Sequence, residues 1–217
     1  IAGGNFWAGV RQGLITSGLN HVAHSVDRLI KKSKYVVAGI FGAGGEDYQG
    51  NQDIKELVES RGGIMFSSSW PWGNGDNEII DYLKEGKSKG KLIEIYGYSR
   101  GGAAAIRITN ELGKQGISVN HLYLFDAHSL LSWGLWRGSY SFELEYGNVR
   151  KLSNYYQHNS IFMFDVKNEN PFWGNPVKSS FFHHNGMNNN LTSHNYNGSF
   201  VNHNNIVKYV VDVLKLK

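Results

Sequence analysis

The sequence predicts an α/β domain: a mostly parallel central sheet flanked by helices, with a sharp strand-to-helix turn after a central strand. Three observations carry that prediction. Between residues 35 and 126, apolar β-type runs alternate with helix-period segments through short connections, the pattern of parallel strands joined by crossover helices. The run Leu92-Ile93-Glu94-Ile95-Tyr96 enters Gly97-Tyr98-Ser99-Arg100-Gly101 and leaves into Gly102-Ala103-Ala104-Ala105. Gly42 to Gly45, Ser99 and Asp126 all fall directly after predicted strands, at the carboxyl edge where open α/β sheets gather their functional groups.

In chain order, Asn5 to Lys32 reads as one or two helices with Phe6, Trp7, Val10, Leu14 and Leu19 on an apolar side. Residues 1–34 are therefore expected as an N-terminal helical segment packing on residues 35–217, a single domain overall. Tyr35 to Phe41 predicts a buried strand, Asp53 to Ser60 a helix closed by Gly62-Gly63, and Ile64 to Phe66 a second strand. Asn77 is placed to cap a helix bearing Ile79, Ile80 and Leu83. Lys91 to Tyr96 predicts the third strand, followed by a helix to about Leu112, and His121 to Phe125 the fourth. Short strands are expected within Val149 to Gln157 and Ser160 to Val166. Residues 130–147 and 168–200 read as long loops or cap segments, and Asn204 to Lys217 as a final amphipathic helix.

The 217 residues, 41% apolar and 18% charged, suit one globular domain with a sizeable core. No apolar run approaches the ~20 residues of a membrane span. With no cysteine, disulfides, thiol nucleophiles and thiolate metal sites are excluded. The net charge of +4 is spread, and Lys31, Lys32 and Lys34 and then Lys84, Lys87, Lys89 and Lys91 read as a solvated helix end and loop. Peripheral contact with an anionic membrane stays open; nucleic-acid binding needs a stronger basic footprint. The opening Ile1-Ala2-Gly3-Gly4, with no Met or leader, reads as a piece excised from a longer chain.

The Gly-x-Ser-x-Gly turn carries the chemistry. It lifts a serine hydroxyl above the sheet edge, and Gly97 and Gly101 remove Cβ atoms from a turn too tight for them. The plain alternative is a βα turn in which Ser99 caps a helix. A serine needs a base, and the base an orienting acid, in the chain order Ser, acid, His. Asp126, after Leu122 to Phe125, is placed to be the acid, with Asp165 after Ile161 to Phe164 as its competitor. Of nine histidines, His21 and His24 come too early, and His121 and His128 read as structural. His203, directly before the last helix, is preferred as base, with His194 as the alternative. The oxyanion donors are expected to be the backbone N–H of Arg100 and that of Gly42 or Ala43. No Walker pattern follows Gly42 to Gly45, and no His-Glu-x-x-His occurs, so no nucleotide, metal or other cofactor is predicted.

Gly97 to Gly102 and Ile40 to Gly44 resemble the elbow and oxyanion loop of α/β-hydrolase lipases and esterases, and His203-Asn204-Asn205-Ile206 is similar to the base segment of bacterial lipase-like members. Two departures stand out: an acid after the first strand beyond the elbow, and no leading His in the oxyanion loop. Gly3 to Gly9 with Gly18 to His24 resembles the segment following the core of bacterial rearrangement-hotspot repeat proteins, which carry variable C-terminal toxin domains. The resemblances imply an α/β-hydrolase-fold toxin delivered to a target cell and neutralised by an immunity protein. The expectation is a serine ester hydrolase, a lipase or phospholipase, with Trp133, Trp136, Phe172, Trp173, Phe181 and Phe182 lining an acyl site. An amidase or peptidase on the same triad, or a non-catalytic α/β binding module, are the rival readings.

Overall fold

The computed structural model describes residues 33–68, 75–128, 142–159, 174, 176–179 and 186–216. The chain divides into two compact units, Ile1–Lys34 and Tyr35–Lys217, and every described element belongs to the second. In order these are β1 (Tyr35–Ile40), α1 (Gln49–Ser60), β2 (Ile64–Phe66), α2 (Asp76–Ser88), β3 (Leu92–Tyr98), α3 (Arg100–Lys114), β4 (His121–Phe125) and β5 (Leu152–Tyr156). β6 (Gly186–Asn190), the hairpin β7 (Asn195–Tyr196) and β8 (Ser199–Phe200), and α4 (Ile206–Asp212) complete the set.

Six strands form one sheet in the order β2-β1-β3-β4-β5-β6. Every neighbouring pair is parallel. The chain steps outward from β1 to β2 and then back across to β3, so the winding direction reverses between β1 and β3. At such a reversal the loops leaving the two strands diverge and open a crevice at their carboxyl ends. The loop after β1 and the turn after β3 flank that crevice.

The strands read as near-continuous apolar runs because both faces are covered. Val37, Tyr96, Tyr98, Tyr123 and Phe125 alternate onto one face and pack with Ile54 and Val58 of α1 and with Ile206, Val207 and Val210 of α4. The intervening residues face α2 and α3. At Gly86 of α2 an added Cβ would come within 2.4 Å of the Val36 Cβ, so glycine sets how closely that helix approaches.

The structure shifts several predicted boundaries. Helix α1 begins at Gln49, not Asp53: its first turn has no apolar residue because Gly50 lies under Tyr98 and Asn51 bonds the preceding loop. Asn77 does not cap α2; Gly75 does, with φ 104°, and buried Asp76 is held by Arg107 at 2.6 Å and Ser68 at 2.8 Å. β3 runs on through Gly97 and Tyr98 to the serine itself. The region expected as loop holds β6, an edge strand lacking the apolar alternation that predicts one. Its Asn188 bonds Asn154 and both main-chain groups of Val177. Helix α4 stops at Asp212, leaving Val213 and Leu214 exposed. The expected helices before Lys32 and the strand at 160–166 lie outside the described residues.

Candidate active site

Ser99 is delivered by β3. Its N–H donates to the Phe125 carbonyl at 2.9 Å, continuing the ladder with β4 for one residue. The chain then turns through φ 57° and ψ −126° at Ser99, and α3 starts at Arg100. So sharp a turn needs its glycines for space. A Cβ on Gly97 would lie 2.7 Å from the Gly101 carbonyl oxygen, and one on Gly101 2.2 Å from that of Ile40. The side chain of Ser99 is almost completely buried.

Asp126 stands at the end of β4 with φ 46°, its N–H bonded to the Tyr155 carbonyl at 2.7 Å. Its carboxylate is fully buried and satisfied by three donors. Gln157, just past β5, gives its N–H to Oδ1 at 3.3 Å and its Nε2 to Oδ2 at 2.7 Å. His203 donates Nδ1–H to Oδ2 at 2.6 Å. A buried carboxylate held on three sides fixes the tautomer and plane of the ring it binds.

His203 lies on the loop between β8 and α4, 4% exposed. The asparagines around it bond one another and the main chain. Asn202 Oδ1 accepts from Asn204 N at 2.9 Å, and Asn205 Oδ1 accepts from Asn202 N at 2.8 Å. Asn159 Nδ2 donates to Val201 O at 2.7 Å. A loop with that many internal bonds is held in place despite its polar composition. Tyr98 stacks on the His203 ring, centroids 4.8 Å apart, and donates its hydroxyl to the His203 carbonyl at 2.7 Å. Burial raises the Tyr98 phenol well above its ordinary range, so it remains a neutral donor.

Sequence reasoning set His128 aside, yet the structure puts it at the serine. Its Nδ1 is 3.4 Å from Ser99 Oγ, its N–H bonds the Ser99 carbonyl at 3.2 Å, and its ring meets that of His203 edge-on at 5.7 Å. Burial, reinforced by the neighbouring His203 ring, lowers its pKa to about 3, so it stands beside the serine as a neutral imidazole. The signal was the turn itself: positive φ at Asp126, and Ala127 small enough to lie against Gly102, send residue 128 back to the elbow. Gln157, Tyr98 and Asn51 went unnoticed as well, since none carries a motif.

The loop after β1 departs from expectation in one respect. Its Gly42 N–H is committed to Asn51 Oδ1 at 2.8 Å and so does not face an oxyanion in this conformation. Asn51 Nδ2 also holds the carbonyls of Ala43 at 3.2 Å and Gly45 at 2.6 Å. Of the other expected donors, Arg100 opens α3 and Ala43 follows Gly42 in the same loop. Gly42 serves by being small, since a Cβ there would lie 2.7 Å from the Ser99 Cβ. Among the described residues the buried Arg100 Nε has no hydrogen-bond partner.

Of the alternatives, His194 gives its Nδ1 to Tyr209 Oη at 2.6 Å, on the hairpin side of α4. Asp165 and the six cap aromatics lie outside the described residues. His121 pairs with Ser153 at 2.9 Å and stacks on Tyr123 in the body of the sheet, with its pKa lowered to about 3 by burial. Among the described residues no group of three or more His, Asp or Glu side chains is placed to hold a metal. No described helix is long and apolar enough to cross a membrane.

This chain is a doubly wound α/β domain. Comparison with protein-family models, curated proteins and solved structures returns no match. The chemistry is therefore read from the side chains.

Proposed function

We propose that residues 35–217 form a serine hydrolase that cleaves a carboxylic ester. The observation that carries the reading is the buried Asp126–His203 pair, 2.6 Å long, presented at the same sheet edge as a serine on a positive-φ turn. Ser99 Oγ attacks the carbonyl carbon as His203 Nε2 takes its proton, and the imidazolium is stabilised by Asp126 at Nδ1. The N–H groups of Arg100 and Ala43 receive the oxyanion. Collapse expels the alcohol, which leaves with the proton from His203. Water then attacks the acyl-enzyme, giving its proton to His203, and Ser99 leaves with that proton as the acid departs.

The resemblance of the elbow and base segments to lipases supports a lipid ester. The resemblance of the opening segment to rearrangement-hotspot proteins supports delivery as a toxin domain with an immunity partner. The α/β-hydrolase family is the fold this reading implies.

A fluorophosphonate probe tests the core of the proposal. Wild type is expected to label, and Ser99→Ala and His203→Ala are not. Labelling that survives Ser99→Ala, or is absent from the folded wild type, returns the domain to a binding role. Release of fatty acid from mixed phospholipid vesicles tests the lipid assignment, and a panel of amide and ester substrates separates an amidase from an esterase.

A further inference from the structure

Tyr98 occupies the variable position before the serine, and the triad gives it no part. Its buried ring nevertheless lies face to face with the His203 imidazole, the planes inclined by only 24° and the centroids 4.8 Å apart. Its hydroxyl holds the His203 carbonyl at 2.7 Å, so one side chain grips both the ring and the main chain of the base. The fold makes room for this: a Cβ on Gly50 of α1 would lie 2.2 Å from Tyr98 Oη. Tyr48 lies beside both rings, 6.5 Å from Tyr98, and hydrogen-bonds Asn204, the residue after the base.

We propose that Tyr98 is a positioning residue for the base: its π face stabilises the imidazolium that His203 becomes during catalysis, and its hydroxyl fixes that residue's main chain. The inference rests on the serine-hydrolase reading above. A cation within about 6 Å of an aromatic centroid is drawn to the ring face, more strongly where water is excluded. Asp126, just past β4, acts on the same ring in its plane, through Nδ1. Also around it are Tyr48 ahead of α1, at 6.3 Å, and His128 after β4, at 5.7 Å. The charge of Arg100, at the head of α3, reaches His128. His128 stays neutral, so among the described residues Asp126 in the plane and Tyr98 on the face are the groups set to act on the His203 ring.

The test is the rate of fluorophosphonate labelling as a function of pH, on the full chain, for wild type, Tyr98→Phe and Tyr98→pentafluorophenylalanine. Both replacements keep the shape of the ring. Tyr98→Phe is expected to label about fivefold more slowly through loss of one hydrogen bond, with its acid limb unmoved. Fluorination withdraws electron density from the ring face and disfavours the imidazolium. The fluorinated variant should therefore label more slowly still, with its acid limb about half to one pH unit lower than that of Tyr98→Phe. NMR titration of the His203 ring in Ser99→Ala chains carrying each aromatic should show the same displacement without catalysis. Coincident acid limbs and ring titrations for the two aromatics overturn the role of Tyr98 while leaving the hydrolase in place. A wild type that never labels overturns both.

Discussion

At φ 57° and ψ −126° Ser99 occupies backbone space that costs a residue with a Cβ about 1–3 kcal/mol. Glycine adopts the same angles freely, so Ser99→Gly recovers that strain. It gives back about 0.5–1 kcal/mol through the greater freedom of the unfolded chain. The contact to His128 is long, at 3.4 Å, and its loss adds only a few tenths. The net expectation is a gain of about 0.5–2 kcal/mol, or about 2–6 °C in Tm for a domain of this size. Ser99→Ala keeps the Cβ and so keeps the strain; it is the control for losing the hydroxyl. Calorimetric unfolding of the three chains, each variant first shown not to label, gives the comparison. Should Ser99→Gly unfold at or below the temperature of Ser99→Ala, the turn stores no strain and the argument for a forced nucleophile fails.

Three further outcomes are expected. Asp126→Asn leaves one oxygen to serve three donors and sets an amide N–H against the His203 or Gln157 donor, so labelling should slow about 10³–10⁴-fold with little loss of fold content by circular dichroism. His121 and His128 remain neutral in the folded state down to about pH 3, whereas unfolded histidine takes a proton near 6.5. Unfolding within that window binds protons, so stability rises with pH and reaches its full value above about 6.5. At pH 5 each histidine costs about 2 kcal/mol, and His121→Gln should remove about one proton from the pH dependence of urea unfolding between pH 5 and 6. In Gly101→Ala the new Cβ would meet the Ile40 carbonyl oxygen at 2.2 Å and that of Phe41 at 2.6 Å, backbone atoms with little freedom to yield. A loss of about 1–3 kcal/mol in thermal unfolding is expected, together with slower labelling.

What could be read from the sequence depended on whether a residue's role was written next to it in the chain. β1 and β4 are runs of apolar residues buried on both faces, and β2 is a short apolar run after a glycine pair, so periodicity and length place all three within a residue. The elbow is local, and so was visible. β6 was not, because Gly-Met-Asn-Asn-Asn owes its place to amide bonds with Asn154 and Val177 instead of to apolar burial. Chain order alone points to His203, which the structure bonds to Asp126, and passes over His128, only two residues beyond that carboxylate. Only the positive φ of Asp126 turns it back toward Ser99. Of the two donors the sequence offers in the loop after β1, Gly42 or Ala43, the N–H of Gly42 is taken by an asparagine nine positions later, a contact no local pattern announces.

The parts of the candidate site arrive far apart in time. Tyr98 meets His203 across 105 positions of chain, and Asp126 meets it across 77. At ribosomal speeds that separation is on the order of ten seconds of synthesis. During it β1 to β4 can pair while Tyr98 and Asp126 still lack His203. Closing so long a loop also carries an entropic cost that local contacts do not repay. On the serine-hydrolase reading, docking of the segment that carries His203 completes the triad, and a nascent chain is expected to stay silent toward a fluorophosphonate probe until that segment folds back on the sheet.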